Sequence, residues 1–237
     1  MQHKMSRRQL KEDELLTTVE WFQKFVKENY KELLGGVAAA ILIAGAIMAW
    51  RTYSAAQEAA ANMALGAALK TYHSYVGAPA AEPGTDAFPT VQARDLKALG
   101  QFKEIAGKYP RRKAGQIALY LVGVCQSDLG DSTAAIKTLQ QAAGGSDRDV
   151  ASLAQFALAG ELVRSGKTAD AIKLYQQRAD HPTVTVPKAM ALLAEADAER
   201  ATQPALARKI YEDLAKEYAS DGTLANTLKE QIASLPQ

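Results

Sequence analysis

The chain is 237 residues long, and its 28 basic and 26 acidic residues leave a formal net charge of +2. Because the two signs are spread evenly, no segment has the basic excess that binding to nucleic-acid phosphates requires, and a nucleic-acid partner is not expected. The single cysteine, Cys125, cannot form a disulfide within the chain, so the fold must be held together by packing.

Residues 1–32 form a polar arm in which apolar side chains recur at spacings of three and four. This spacing predicts an amphipathic helix over residues 9–31, which either runs into the next segment or lies along a membrane surface. The helix is a docking arm for a cytoplasmic partner or, as the simpler interpretation, a stable run-up to the apolar segment after it. Its apolar positions are Leu15, Leu16, Val19, Phe22, Val26 and Tyr30.

Residues 33–50 read LLGGVAAAILIAGAIMAW, eighteen residues without a charge or a proline. A helix of this length is about 27 Å long, close to the thickness of the hydrocarbon core of a bilayer. A core helix of a soluble protein would show a polar stripe over such a length, and this run shows none. The run therefore predicts a transmembrane helix, with Tyr30, Trp50 and Tyr53 at its two interfaces.

A cleaved signal peptide is the alternative interpretation, but its apolar region normally has only about 7–15 residues after a short basic segment. Here a 32-residue arm comes first, which favours a retained anchor. Seven basic residues precede the span, whereas Arg51 and Lys70 are the basic residues among the twenty that come after it. The positive-inside rule therefore predicts a cytoplasmic N-terminus and an exported C-terminal region.

After the span, the pattern remains helical to about Val76 and then changes abruptly. Residues 77–90 contain three prolines and two glycines within GAPAAEPGTDAFPT, which predicts an exposed loop. Helical periodicity returns at about Val91.

From residue 129 onward the sequence repeats with a period of 36. The segments LGDSTAAIKTL (129–139), SGKTADAIKLY (165–175) and ATQPALARKIY (201–211) align without gaps. Three sets of positions coincide, namely Ala135, Ala171 and Ala207; Lys137, Lys173 and Lys209; and Leu139, Tyr175 and Tyr211. An earlier, weaker unit has Phe102 in the aromatic position. A repeat of this length, with a small residue four positions before a large one, predicts stacked helical hairpins.

The first halves of these units have the spacing of tetratricopeptide hairpins, in which small residues let two helices touch. Gly123 is followed seven residues later by Gly130, and Ala159 is followed seven residues later by Gly166. The third unit departs from the pattern, with Glu195 and Thr202 at the corresponding positions.

The predicted fold is therefore all-α. It comprises an N-terminal transmembrane helix and a right-handed, tetratricopeptide-like solenoid of α-hairpins over residues 51–237, closed by a capping helix over residues 221–235.

No constellation of catalytic or metal-binding residues is apparent. The three histidines are His3 in the arm, His73 at a helix end and His181 in a turn, and none has metal-ligand spacing with cysteines or carboxylates. No glycine-rich phosphate loop is present either. We therefore expect no enzymatic activity, no cofactor, no metal and no small-molecule substrate.

A binding groove is the remaining possibility, because the first helix of each tetratricopeptide hairpin lines the concave face. The period of 36 places an apolar row on these helices, which suits a hydrophobic peptide or a partner helix. The long helix after the span or the capping helix could equally fill the groove. The residues of the predicted groove are Tyr120, Val124, Phe156, Gly160, Leu192 and Ala196.

The order of the parts resembles one protein family. A polar arm ending in EWFQKFVKENYKELLGG is followed by one span, the junction AWRTYSAAQEAAANMAL, a proline-rich loop and degenerate hairpins. This order resembles the single-span, tetratricopeptide-like ancillary subunits of the bacterial SecYEG translocon, from about Glu12 to the end of the chain. The resemblance implies a repeat domain in the periplasm and no catalytic residues.

The resemblance further implies a non-enzymatic adaptor of the bacterial inner membrane that crosses the lipid bilayer once, with its N-terminus in the cytoplasm. Its expected partners are Sec translocon subunits and periplasmic or membrane-anchored chaperones, to which it helps hand newly exported proteins. Two alternatives stay open. One is a periplasmic scaffold for cell-envelope or division machinery, and the other is a regulator whose N-terminal arm sequesters a cytoplasmic signalling protein.

Overall fold

The computed structural model of the chain describes Trp21 and residues 23–77 and 87–235. Within this part of the chain, the only β-type pairing is an isolated bridge between Val76 and Phe88. The all-α prediction is confirmed. The helices are α1 Tyr30–Tyr72, α2 Val91–Lys108, α3 Lys113–Asp128, α4 Ser132–Ala143, α5 Arg148–Arg164, α6 Thr168–Asp180, α7 Lys188–Glu199, α8 Pro204–Glu217 and α9 Gly222–Ala233.

Helix α1 carries the apolar run without interruption. Every residue from 33 to 50 is exposed. The mean hydropathy of the most apolar stretch of α1 is 2.2, and none of that stretch is buried. An apolar surface of this extent is unfavourable in water and favourable in hydrocarbon. By length and composition, α1 is therefore able to span a membrane.

The chain separates into two compact units that divide between Gln57 and Glu58. Two predicted features lie largely outside the described residues. They are the amphipathic arm over residues 9–31, of which Trp21 and residues 23–31 are described, all helical except Asn29, and the loop over residues 77–90, of which Gly77 and residues 87–90 are described.

The end of α1 differs from the prediction, because the helix stops at Tyr72 rather than near Val76. After this point the backbone pairs across the loop instead of continuing the helix. Gly77 N donates a hydrogen bond to the Phe88 carbonyl, and Phe88 N donates one to the Tyr75 carbonyl, both 3.0 Å long. The residues before the loop thus pair with the residues after it. This pairing closes the loop at its base.

In the second unit, helices stack as consecutive hairpins. The part of α1 after Gln57 packs with α2 in one apolar cluster, α3 pairs with α4, α5 with α6, and α7 with α8. Each of the helices from α2 onward packs against the next, and α3 also packs against α5. Helix α9 packs against α8 as the predicted capping helix. Its N-terminus is fixed by Asp221, whose carboxylate accepts a hydrogen bond from Leu224 N at 3.1 Å.

The repeated positions lie where the hairpin helices meet. The small residues of the repeat are fully enclosed, and the large residues four positions later are buried beside them. The small residues are Ala98, Ala135, Ala171 and Ala207, all 0% exposed. The large residues are Phe102, Leu139, Tyr175 and Tyr211, none more than 5% exposed. The register predicted from the period of 36 is confirmed.

Glycine serves two purposes in these hairpins. At Gly123 the helices approach so closely that an added Cβ would lie 2.6 Å from Leu139 Cγ, closer than non-bonded carbon atoms can come. In the turns after α3 and α5, Gly130 and Gly166 have positive φ values of 82° and 76°, a conformation in which side chains are strained. Both turns therefore depend on glycine.

The third turn, between α7 and α8, is stabilised by side-chain hydrogen bonds instead of a glycine. The buried Glu199 carboxylate accepts hydrogen bonds from Thr202 Oγ1 at 3.0 Å and from Gln203 Nε2 at 3.2 Å, and Pro204 begins α8. Proline suits the first helical position because the amide proton it lacks would have no partner there. Side-chain hydrogen bonds thus shape the turn that glycine shapes in the two units before it.

Candidate interaction surface

The six residues of the predicted groove lie on the first helices of three consecutive hairpins. Helix α3 carries Tyr120 and Val124, α5 carries Phe156 and Gly160, and α7 carries Leu192 and Ala196. The six positions form two sets of three that are 36 residues apart, namely Tyr120, Phe156 and Leu192, and Val124, Gly160 and Ala196.

Five of the six residues keep part of their surface exposed. Ala196 does not, because it is 0% exposed and lies in the apolar cluster that α7 forms with α8 and α9. A ligand cannot contact it directly in this conformation. The partly exposed residues among the six are therefore Tyr120, Val124, Phe156, Gly160 and Leu192.

Phe156 is the central residue of the row. Its ring lies 5.3 Å from the ring of Tyr175 in a tilted arrangement. It packs against the same buried cluster as Tyr120, and against a second cluster that it shares with Leu192. The large side chains of the row are thus connected through common clusters. Each of them has a supported inner side and a partly exposed outer side.

Polar ties between neighbouring hairpins hold this row in place. Ser127, at the end of α3, donates a hydrogen bond of 2.6 Å to the buried Glu161 carboxylate of α5, which also pairs with Arg164. Burial would raise the pKa of Glu161, but the hydrogen bond from Ser127 and the Arg164 guanidinium hold it below its usual value. The carboxylate is therefore charged at neutral pH and links the second hairpin to the third.

Two further hydrogen bonds connect the first hairpin to the second and the third hairpin to the fourth. Tyr72 Oη donates a hydrogen bond of 2.7 Å to Asp128 Oδ2, which joins α1 to α3. Gln176 Nε2 donates a hydrogen bond of 2.8 Å to Glu195 Oε1, which joins α6 to α7. The glutamate that departs from the repeat is thus buried and paired. These ties were not predicted from the sequence, in which the available signal was Glu195 at a position that is small in the two preceding units.

Groups with chemical reactivity are few in the described part of the chain. Cys125 is fully buried, and burial together with nearby Asp128 raises the pKa of its thiol to about 12, so it stays protonated. His73 and His181 are exposed. Among the described residues, no group of three or more histidines, cysteines or carboxylates is placed to hold a metal ion.

One comparison with known proteins gives a match. A family model described as a tetratricopeptide repeat-like domain matches residues 23–184, more than half of the chain. The matched region includes α1 and the hairpins up to the end of α6. No match was found among curated proteins or among solved structures.

Proposed function

Because the chain belongs to the tetratricopeptide repeat-like domain family, we propose that it is a non-enzymatic, membrane-anchored adaptor at the bacterial Sec translocon. Domains of this family suggest protein–protein interaction, and stacked hairpins present extended surfaces for other proteins. The proposed partners are translocon subunits and periplasmic or membrane-anchored chaperones, to which the adaptor helps hand exported proteins.

The observation that carries this proposal is the combination of two features in one chain. An exposed apolar stretch of α1 is suited to a bilayer, and the hairpin unit offers a partly exposed apolar row over α3, α5 and α7. We assign residues 33–50 to the inner membrane, residues 1–32 to the cytoplasm and residues 51–237 to the periplasm. The arrangement would keep a peptide-binding surface beside the membrane where exported chains emerge.

The proposed topology predicts a specific pattern of proteolysis. Protease added to spheroplasts should degrade the hairpin unit and leave the arm before residue 33 intact, because only the former would face the periplasm. The measurement is immunoblotting with one tag at each terminus. Protection of the C-terminal tag in intact spheroplasts, with digestion after lysis, would contradict both the orientation and the translocon role.

The proposed groove predicts a selective loss of partner capture for Phe156→Ser. The full-length protein would be crosslinked in membranes, gently solubilised and captured, and translocon subunits and chaperones measured in the eluate. We expect recovery to fall several-fold, because serine removes the central apolar contact. The matched control is Leu96→Ser, which changes an apolar residue that is 55% exposed on α2, away from the row.

The same Phe156→Ser variant should lose about 1–3 kcal/mol of unfolding free energy, less than the roughly 3–5 kcal/mol of a fully enclosed phenylalanine, because the ring is partly exposed. A larger loss, with no selective defect in capture, would remove Phe156 from the contact surface. Recovery of neither translocon subunits nor chaperones by the unaltered protein would refute the adaptor role itself.

A further inference from the structure

A groove of about 480 Å³ lies between α2 and α4, with α3 as its floor. Both flanking helices pack against α3. The lining residues recur at spacings of three and four, from Lys103 to Gly107 on α2, from Gly115 to Gln126 on α3 and from Thr138 to Ala142 on α4. This spacing places the lining residues of each helix on one face. The α2–α4 groove therefore follows α3 for about 16 Å, the length of about five residues of an extended chain.

The α2–α4 groove is separate from the apolar row described above. At 3.6 residues per turn, its lining positions on α3 are rotated by roughly 140° from Tyr120 and Val124. A partner in the groove would therefore contact a different side of α3 from a partner on the row.

One wall of the groove is positively charged. Lys103 of α2 and Arg111 of the turn after it both line the groove, and both are exposed. Among the described residues, no carboxylate pairs with either of them. The described residues that line the groove include no aspartate or glutamate, and the opposite wall carries the neutral Thr138 and Gln141 of α4. The groove thus presents two positive charges that a ligand can reach.

The acidic residues nearest to this wall are engaged elsewhere. A carboxylate oxygen of Glu58 lies 3.6 Å from Arg112, and one of Asp147 lies 3.2 Å from Lys113. Glu104 lines a different pocket, between α1 and α2. The two cations of the groove therefore keep their positive potential, which favours an anionic partner.

The floor and one end of the groove are already in a fixed arrangement. Leu119 provides a partly exposed apolar floor. Gln116 Nε2 donates a hydrogen bond of 2.8 Å to Ser146 Oγ, and Gln116 Oε1 accepts one of 2.9 Å from Asp147 N. These bonds hold the loop after α4 against α3. Little conformational entropy is therefore lost in this part of the chain when a ligand binds.

We propose that the α2–α4 groove binds an extended, acidic segment of a partner protein. Carboxylates of the segment pair with Lys103 and Arg111, and one of its apolar side chains covers Leu119. The Thr138 hydroxyl and the Gln141 amide bond to backbone groups, which an extended chain leaves unpaired. A small inorganic anion would reach only the cations, whereas an extended segment covers the charged wall and the apolar floor together. This site goes beyond the proposed function, because it does not require the partner to be a translocon subunit or a chaperone.

The test measures binding of a defined peptide to the full-length protein in zwitterionic nanodiscs at low ionic strength. The probe is a fluorescent, end-blocked peptide of alternating valine and glutamate, because β-branched residues favour an extended chain. Its control peptide has glutamine in place of glutamate. We expect the glutamate peptide to bind at least about tenfold more tightly, and its affinity to fall as salt is added.

Substitutions on the two walls should shift the affinity in opposite directions. Lys103→Gln and Arg111→Gln should each weaken binding of the glutamate peptide about three- to fivefold, because each removes one exposed ion pair. Gln141→Lys adds a cation to the neutral wall and should strengthen binding by a similar factor, whereas Gln141→Glu should weaken it. The matched control is Lys137→Gln, which removes an exposed lysine of α4 outside the groove and should change the affinity less than about twofold.

Thermal melting separates a defect in binding from a defect in folding. The substituted side chains are exposed, so each variant should melt within about 2 °C of the unaltered protein. The glutamate peptide should raise the melting temperature of the unaltered protein more than that of Arg111→Gln. Should Lys103→Gln or Arg111→Gln fail to fold, the two Gln141 variants decide the question from the opposite wall.

Equal binding of the two peptides would overturn the proposal, and so would an affinity that no substitution in the groove changes. Weaker binding after Phe156→Ser, without an effect of the groove variants, would place the peptide on the apolar row instead. Full competition by inorganic phosphate at constant ionic strength would show an unselective anion site. Capture of anionic vesicles without binding of the peptide would show a lipid contact.

Discussion

Replacing Ala171 with glutamate is expected to lower the free energy of unfolding by several kcal/mol. Ala171 is 0% exposed and lies in the cluster formed by Leu139, Leu158 and Tyr175. Glutamate there would bury a carboxylate without a partner and force apart helices that are in contact, and both effects are strongly unfavourable. Urea titration of the full-length protein in detergent, followed by circular dichroism, measures the loss.

The control is Ala169→Glu, the same substitution two residues earlier in α6 at an exposed position. Here the carboxylate would lie in water in the first turn, where the helix dipole favours it, so the change should stay within about 0.5 kcal/mol. Equal stability of the two variants would contradict the burial of Ala171 and with it the register of all the hairpins.

The second large effect is expected for Phe102→Ala, at about 3–5 kcal/mol. Phe102 is 0% exposed, and the ring of Tyr72 meets it edge-on with the centroids 6.1 Å apart. It packs in a cluster with Ala61 and Leu65 of α1, so its removal leaves a cavity between α1 and α2. Leu96→Ala, at an exposed position on α2, is the matched control and should change stability by about 0.5 kcal/mol or less.

This result would show that the later part of α1 belongs to the folded unit. Because stacked hairpins contact mainly their neighbours, the loss should be concentrated in the first hairpin. Hydrogen exchange should accelerate in the later part of α1 and in α2 before it changes in α7 or α8. A uniform acceleration along the chain would instead indicate that the hairpins open as one cooperative body.

The repeat positions could be predicted from the sequence because hairpin contacts recur with the period of the repeat. Ala135, Ala171 and Ala207 are 36 residues apart, and each is enclosed by the same kind of helix contact. The turn glycines Gly130 and Gly166 could be predicted for a similar reason, since a local backbone conformation demands them. A contact that is made several times at a regular spacing can therefore be predicted from the sequence.

The remaining features depend on contacts that are made only once. The end of α1 was wrongly predicted. The helix ends because Val76 pairs with Phe88 across the loop, and not because of a local stop signal in the sequence. The tie between Ser127 and Glu161, and the hydrogen bond between Gln116 and Ser146, arise from the approach of residues far apart in sequence. For the groove, the sequence predicted the helices correctly, but it could not predict that the C-terminal cluster encloses Ala196.

Because Cys125 is buried, its reactivity can report how often the helices around it separate. The thiol lies among residues of α1, α2 and α3, and no other cysteine is present in the sequence. A thiol reagent can reach it only when these helices separate, after which the thiol regains its ordinary acidity and reacts. When reclosing is faster than reaction, the labelling rate is proportional to the opening equilibrium constant. Thiol labelling can therefore measure the opening of the first two hairpins in intact membranes, with and without their partners.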